Sequence, residues 1–316
     1  MRQKALRIRV FLIVSFIVFL LAGCSGQEAN AASEAQPGEK RVTTEKGAAE
    51  EKRKTLHEFL LPEASGSTVY ENDIISIDAS NTSEGYIMVR YSGEADKIRL
   101  QITAPDGSVY NYTLFAGAYE TFPLSGGNGA YHAYDNMYAM AFSQDIEVAL
   151  NDEFKPFLYP NQYVWFTKDD EAVSYGEKLS DSSSGDLDYV TQVYHYVIDN
   201  ISYDKELAAN VSADYLPDID VTMKTGKGIC FDYASLMAAL LRSQGIPTKL
   251  VVGYSGDAYH AWISVYLDEI GWVDKIIEFD GKSWSLIDPT LAANNEGSAV
   301  KKYIGDGSNY TVKYSY

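Results

Sequence analysis

The sequence predicts an α+β protein in which an antiparallel β-sandwich precedes a domain of mixed helices and strands. Three observations predict it. Short runs that alternate polar and apolar residues, broken by turn residues, fill 65–152. Helical periodicity takes over after the proline-bearing stretch "FKPFLYPNQYV" at 154–164. Strand-like runs then return after Pro247. A chain of 316 residues also favours two domains over one. The expected organisation is a leader over 1–23, a tether over 24–60, a β-sandwich over 61–155 and a second domain over 156–316.

The N-terminus reads "MRQKALRIRVFLIVSFIVFLLAGC". Arg2, Lys4, Arg7 and Arg9 form a positive start, and the apolar run from Val10 to Ala22 is too short for a comfortable membrane span. "LAGC" at 21–24 resembles the bacterial lipobox, which implies cleavage before Cys24 and lipid attachment to its thiol. The alternatives are an ordinary signal peptide or a signal anchor. The expected location is therefore extracytoplasmic, anchored by lipid to the bacterial cell membrane. The chain carries a formal charge of −18, and loss of the leader removes four of its basic residues. Such a surface repels nucleic acid and anionic polymers, so neither is an expected partner.

Residues 25–56 are small, charged and nearly free of aliphatics, so nothing in them offsets the entropy of ordering. As a flexible coil they would reach about 30 Å from the bilayer. The sandwich follows. "GYIMVRYSG", "KIRLQITAP", "YNYTLFAG" and "DIEVALN" are rich in Tyr, Val, Ile and Thr. Lys97 to Thr103 alternates strictly, and Pro105-Asp106-Gly107 is a hairpin turn. His132 lies among tyrosines and is read as structural. In the second domain Asp186 is the expected N-cap of a helix that carries Leu187, Val190, Val193, Tyr194 and Val197 on one face. His195 falls off that stripe and is read as a surface residue.

The chemistry centres on "GKGICFDYASLMAALLRSQGIP" at 226–247. Gly226 and Gly228 can bend the chain tightly just before Cys230, and Gly245 and Pro247 stop the helix that follows. Cys230 therefore stands in a first helical turn, among unpaired N–H groups. With Cys24 lipidated it would be the only thiol left in the chain. A helix N-terminus with an imidazolium nearby favours the thiolate, which is the nucleophile. Two strands follow, "TKLVVGYS" and "HAWISVYL"; His260 opens the second and shares a face with Trp262, Ser264 and Tyr266. A hairpin with Asp280-Gly281 at its turn leads to Asp288-Pro289-Thr290. A cysteine nucleophile needs a base, and the base needs a third group to hold its tautomer.

These pieces, with "ISYD" at 201–204 upstream, closely resemble the transglutaminase-like superfamily of cysteine enzymes over about 160–316. The resemblance implies a papain-like fold in which a cysteine-bearing helix packs on an antiparallel sheet. It implies Cys230 as nucleophile, His260 as general base and acid, and Asp288 as the group that orients His260. The segment "DEIGWVDKIIEFDGK" between the His and Asp strands is longer than in the simplest members. One oxyanion donor is expected to be the Cys230 N–H; Tyr203 is the candidate for the other, its bland reading being a core tyrosine. The expected substrate is a peptide or protein amide. The favoured outcome is hydrolysis, with transglutaminase-type cross-linking or a non-catalytic scaffold as alternatives. No cofactor is expected, because histidines and cysteines do not cluster and no acidic run has calcium-loop spacing. The acidic segment 204–226 is expected to line the cleft and to favour cationic substrates.

Overall fold

Alternation decides the first half of the molecule. In Lys97–Thr103, Ile98, Leu100 and Ile102 are buried while Lys97 and Arg99 face solvent. The computed structural model describes residues 52–135, 142–274, 277–279, 284–286 and 310–316. Strands β1 (Val69–Glu71), β2 (Ile75–Asp78), β3 (Tyr86–Tyr91), β4 (Lys97–Thr103), β5 (Val109–Phe115), β6 (Glu120–Pro123), β7 (Gly129–Asp135) and β8 (Ser143–Val148) form two four-stranded sheets. Their orders are β1-β2-β3-β6 and β5-β4-β7-β8, and every pairing is antiparallel. Ile77, Ile87 and Val89 of one sheet share a core with Leu100, Ile102 and Leu114 of the other. The expected turn closes β4 onto β5: the Ser108 N–H donates to Asp106 Oδ1 at 2.9 Å, and Gly107 takes φ +85°.

Strand β3 departs from simple alternation because both of its faces are covered. Tyr86 and Met88, on the side away from the sandwich core, pack against Tyr159. The chain after the sandwich folds back there, and Pro156 Cγ stands 2.5 Å from the place a side chain on Gly85 would occupy. Gly85 also has φ +87°, so only glycine fits both the backbone and the contact. The junction 154–164 is therefore a packed strap rather than a free linker.

The second half contains α1 (Glu171–Ser182), α2 (Asp186–Asn200), β9 (Ser202–Tyr203), α3 (Lys205–Asn210), α4 (Ile219–Thr225), β10 (Lys227–Gly228) and α5 (Cys230–Arg242). Then come β11 (Thr248–Ser255), β12 (Ala258–Leu267), β13 (Gly271–Asp274), β14 (Ile277–Phe279), β15 (Trp284–Leu286) and β16 (Tyr310–Ser315). Four of these strands form an antiparallel sheet in the order β13-β12-β11-β16. The insertion after the histidine strand supplies β13 and β14, and β14 pairs with β15 of the strand that leads to Asp288; the expected Asp280-Gly281 turn lies outside the described residues. Helix α5 has almost no polar side, and a helix that is apolar all round belongs inside. It is buried from Asp232 to Arg242 and packs against α1, α2 and α4 as well as β11 and β12.

Two features tie the halves together within one compact unit, 49–316. Tyr110 and Tyr112 of β5 pack against Tyr316 after β16, at ring separations of 5.5 and 5.9 Å. The fully buried Arg242 donates to the main-chain oxygens of Tyr159, Thr248 and Tyr316 at 2.8, 2.8 and 2.6 Å. Burial pulls its pKa down to about 9, which leaves it charged at neutral pH. One cation thus fastens the strap, the β11 start and the β16 end to the helix that begins at Cys230.

Two sequence expectations shift. The tether expected to run to 60 gives way to packed chain by Arg53. That side chain donates to Asp186 Oδ1 at 2.7 Å and to Gln244 O at 2.5 Å, and its guanidinium lies 4.6 Å over the Tyr189 ring. The Leu56 N–H donates to Gln244 Oε1 at 3.0 Å. Composition misses this because the attachment is made by one cation, a few main-chain bonds and single apolar side chains such as Phe59, whose ring lies 5.4 Å from that of Phe166. Asp186 is also the first helical residue rather than the N-cap, which is Gly185. Its carboxylate is taken by Arg53, and Asp188 Oδ2 instead accepts the Ser184 N–H at 2.9 Å.

Candidate active site

Cys230 is the first residue of α5, as the glycines before it and the apolar run after it require. The turn is fastened from inside the helix. Asp232, 1% exposed, accepts the Ile229 N–H at 2.7 Å and the Tyr215 hydroxyl at 2.7 Å. An acid at the third helical position that reaches back to the cap N–H is half of a capping box. Burial raises the Asp232 pKa against the lowering effect of those bonds. Gly228 is required by the same packing, since a Cβ there would stand 2.6 Å from Asp232 Cβ.

Tyr203 is held beside this turn by a short parallel pairing. Ser202 and Tyr203 lie opposite Lys227 and Gly228, and the Asp204 N–H donates to Gly228 O at 2.9 Å. Burial raises the Tyr203 pKa, and charge on Cys230 raises it further. Its hydroxyl therefore stays protonated, as a hydrogen-bond donor must.

Strand β12 brings His260 to the same place. It lies opposite Gly253 of β11, with its ring 6.2 Å from that of Trp262 on the same face. Gly253 is where β11 and β16 slip register, and a Cβ there would stand 2.0 Å from Thr311 O. The close approach of β16 brings Tyr314 and Tyr316 to the cleft.

Cys230, His260 and Tyr203 line one cleft of about 640 Å³. Cys230 is half-buried at this cleft. Asp288 and Cys24 both lie outside the described residues, as does the whole leader. Among the described residues, no helix is long and apolar enough to cross a membrane. His195 is exposed on α2, and His132 faces Asp145 across the sandwich strands at 2.5 Å; neither lines the cleft.

Sequence reasoning missed much of the wall. Tyr163, Tyr215 and Tyr259 line it, and Asn111 and Thr113 of β5 bring the sandwich into it. Tyr163 stacks against Tyr112 at 5.5 Å and donates its hydroxyl to Asn111 O at 3.1 Å. Asp232 had a readable signal, an acid three residues after a helix cap; Tyr259 adjoins His260 and Tyr215 lies in the segment expected at the cleft, whereas Tyr163 comes from a distant element and had none.

The acidic segment expected at the cleft keeps that position. Segment 204–226 does line the cleft, through Ala208 and residues 211–216. Most of its carboxylates are engaged elsewhere, on helix N-termini. Asp204 Oδ1 accepts the Leu207 N–H at 2.8 Å, Asp218 Oδ1 the Val221 N–H at 2.9 Å, and Asp220 the Glu171 and Ala172 N–H groups at 3.0 Å each. Such acids answer the unpaired N–H groups of a first turn. Among the described residues, Asp214 is the single carboxylate of the cleft lining, and Lys97 of β4 pairs with it. That hydrogen bond holds the Asp214 carboxyl below the usual range.

Comparison with known proteins agrees with this local picture. Residues 173–275 match the family model described as Transglutaminase-like superfamily. The chain is 30% identical over 105 residues to the uncharacterized protein YebA of Bacillus subtilis, covering 27% of this chain and 13% of that protein. It is 36% identical over 69 residues to a protein-glutamine gamma-glutamyltransferase of Pseudomonas aeruginosa, covering 17% of this chain and 10% of that one. The chain thus spans a small part of both relatives. Among solved structures, the periplasmic domain of TgpA from Pseudomonas aeruginosa aligns over 84% of this chain and 90% of its own, at 15% identity and a TM-score of 0.35. The helix that begins at Cys230 and the strand that carries His260 both fall inside the matched span, and this part of the chain is a domain of the transglutaminase-like superfamily.

Proposed function

We propose that the chain is a cysteine enzyme that acts on amide bonds of peptides or proteins, held outside the cytoplasm by a lipid on Cys24. The observation that carries the reading is the meeting of Cys230 and His260 on one open cleft. The Cys230 thiolate attacks the amide carbonyl carbon, and the C–N bond breaks as His260 gives its proton to the leaving amine. This leaves a thioester on Sγ. His260 then takes a proton from water, the hydroxide adds to the thioester, and the carboxylic acid leaves with the thiolate restored. The N–H of Cys230 at the helix start, with Tyr203 beside it, would stabilise the oxyanion. Asp288 would orient His260. Hydrolysis is the favoured outcome; an amine in place of water would give a cross-link from the same thioester.

Alkylation by iodoacetamide tests the site. Cys230 should be labelled in the folded protein, and His260→Ala should slow the labelling at least about tenfold, because the base that takes the thiol proton is gone. A digest of an unbiased peptide library by wild type and Cys230→Ala then reads the reaction. Labelling only after denaturation, or equal turnover by both proteins, would overturn the proposal.

A further inference from the structure

We propose that the cleft selects an acyl donor that is uncharged around the reacting amide, with an aromatic or aliphatic side chain beside it. We further infer that the β-sandwich enforces this choice by cancelling the cleft's carboxylate. The inference rests on the enzyme reading above and assigns the substrate class of that site.

Tyr163, Tyr203, Tyr215, Tyr259 and Phe231 present rings, and Asn111 and Gln162 present neutral amides. No lysine or arginine is among the described residues of the lining, and its one carboxylate, Asp214, is bonded to Lys97. Apart from the Cys230–His260 pair itself, the described walls offer a substrate side chain no unpaired charge, and a charge that lost water against their rings would be costly to hold. A neutral ring or aliphatic chain gains from the same walls. Tyr259 is placed to receive it. The residue is 62% exposed and lines the cleft next in sequence to His260, with its ring 5.6 Å from that of Tyr254.

Lys97 makes the sandwich part of this selection. It projects from β4, in the sheet whose neighbouring strand supplies Asn111 and Thr113 to the wall. Asp214 belongs to the lining segment 211–216. Without Lys97 the cleft would hold an uncompensated carboxylate and would attract cations. The sandwich thus sets the sign of the cleft as well as its shape.

The test uses three matched peptides that differ only beside the reacting amide, where they carry Tyr, Lys or Glu. Turnover is read with the wild type, and binding is read separately with Cys230→Ala by calorimetry. The Tyr peptide should exceed both charged peptides by about tenfold or more in kcat/KM and in affinity. In Lys97→Met the Lys peptide should gain several-fold on the Tyr peptide, while the Glu peptide should not. Equal handling of the three, or a wild-type preference for either charge, overturns the inference and leaves the enzyme reading standing. Neutral-selective binding with no Cys230-dependent turnover supports the selectivity and overturns the enzyme reading. Neither binding nor turnover overturns both.

Discussion

Asp232→Ala isolates the device that holds the nucleophile in place. The carboxylate fixes two donors, the Ile229 N–H and the Tyr215 hydroxyl, each at 2.7 Å. Ile229 is 6% exposed, so its N–H would be left without water when the carboxylate goes. A buried orphan donor costs about 1–3 kcal/mol. Tyr215 lines the cleft and can rehydrate, so its loss adds less than about 1 kcal/mol. Relief from burying the carboxylate works in the opposite direction. The net expectation is a loss of about 2 kcal/mol, or a fall in Tm of roughly 4–8 °C for a unit of this size. Asp232→Asn keeps an oxygen for Ile229 and an amide N–H that the Tyr215 oxygen can accept, so it should retain most of the stability. Burial raises the folded-state pKa of Asp232 above its unfolded value. Its contribution is therefore fullest below the unfolded carboxylate range and declines as pH rises through the folded pKa. The Asn variant should lack that decline. Calorimetric unfolding between pH 4 and 8 reads all three effects, and iodoacetamide labelling reports the cleft. Equal Tm and equal labelling for wild type and Asp232→Ala would refute the reasoning, because the turn would then be held by something else.

Two further changes address the site and its frame. Tyr203→Phe removes the candidate oxyanion donor while keeping the ring; kcat should fall by about 10²-fold with KM nearly unchanged, and a change below about threefold would make Tyr203 a packing residue only. Gly253→Ala places a methyl 2.0 Å from Thr311 O and 2.9 Å from Trp262. It should push β16 away from β11, shift tryptophan emission to the red and lower Tm by several degrees; an unshifted spectrum with wild-type Tm would show that β16 yields without cost.

Much of the fold could be read residue by residue because it follows from local rules. The two-residue period of Lys97–Thr103 specifies which side of β4 is buried, and the glycines before Cys230 specify where α5 begins. The uniformly apolar face of α5 announces a central helix before any contact is known. The family resemblance singled out Cys230 and His260, and both line one cleft. Where local rules failed, a distant partner had taken the group in question. Arg53 drew Asp186 out of its capping role and shortened the tether.

The amino-acid order by itself determined the chemistry available to this protein: one thiol at a helix start, one imidazole on a strand, and the strands of a sandwich ahead of them. Tertiary structure decided what surrounds that chemistry. The acidic stretch turned three of its aspartates onto helix N-termini and a fourth onto a lysine from the sandwich. The physical reason is range. Periodicity and capping act over a few residues, whereas the charge of a cleft is a sum over side chains that only folding brings within reach of one another.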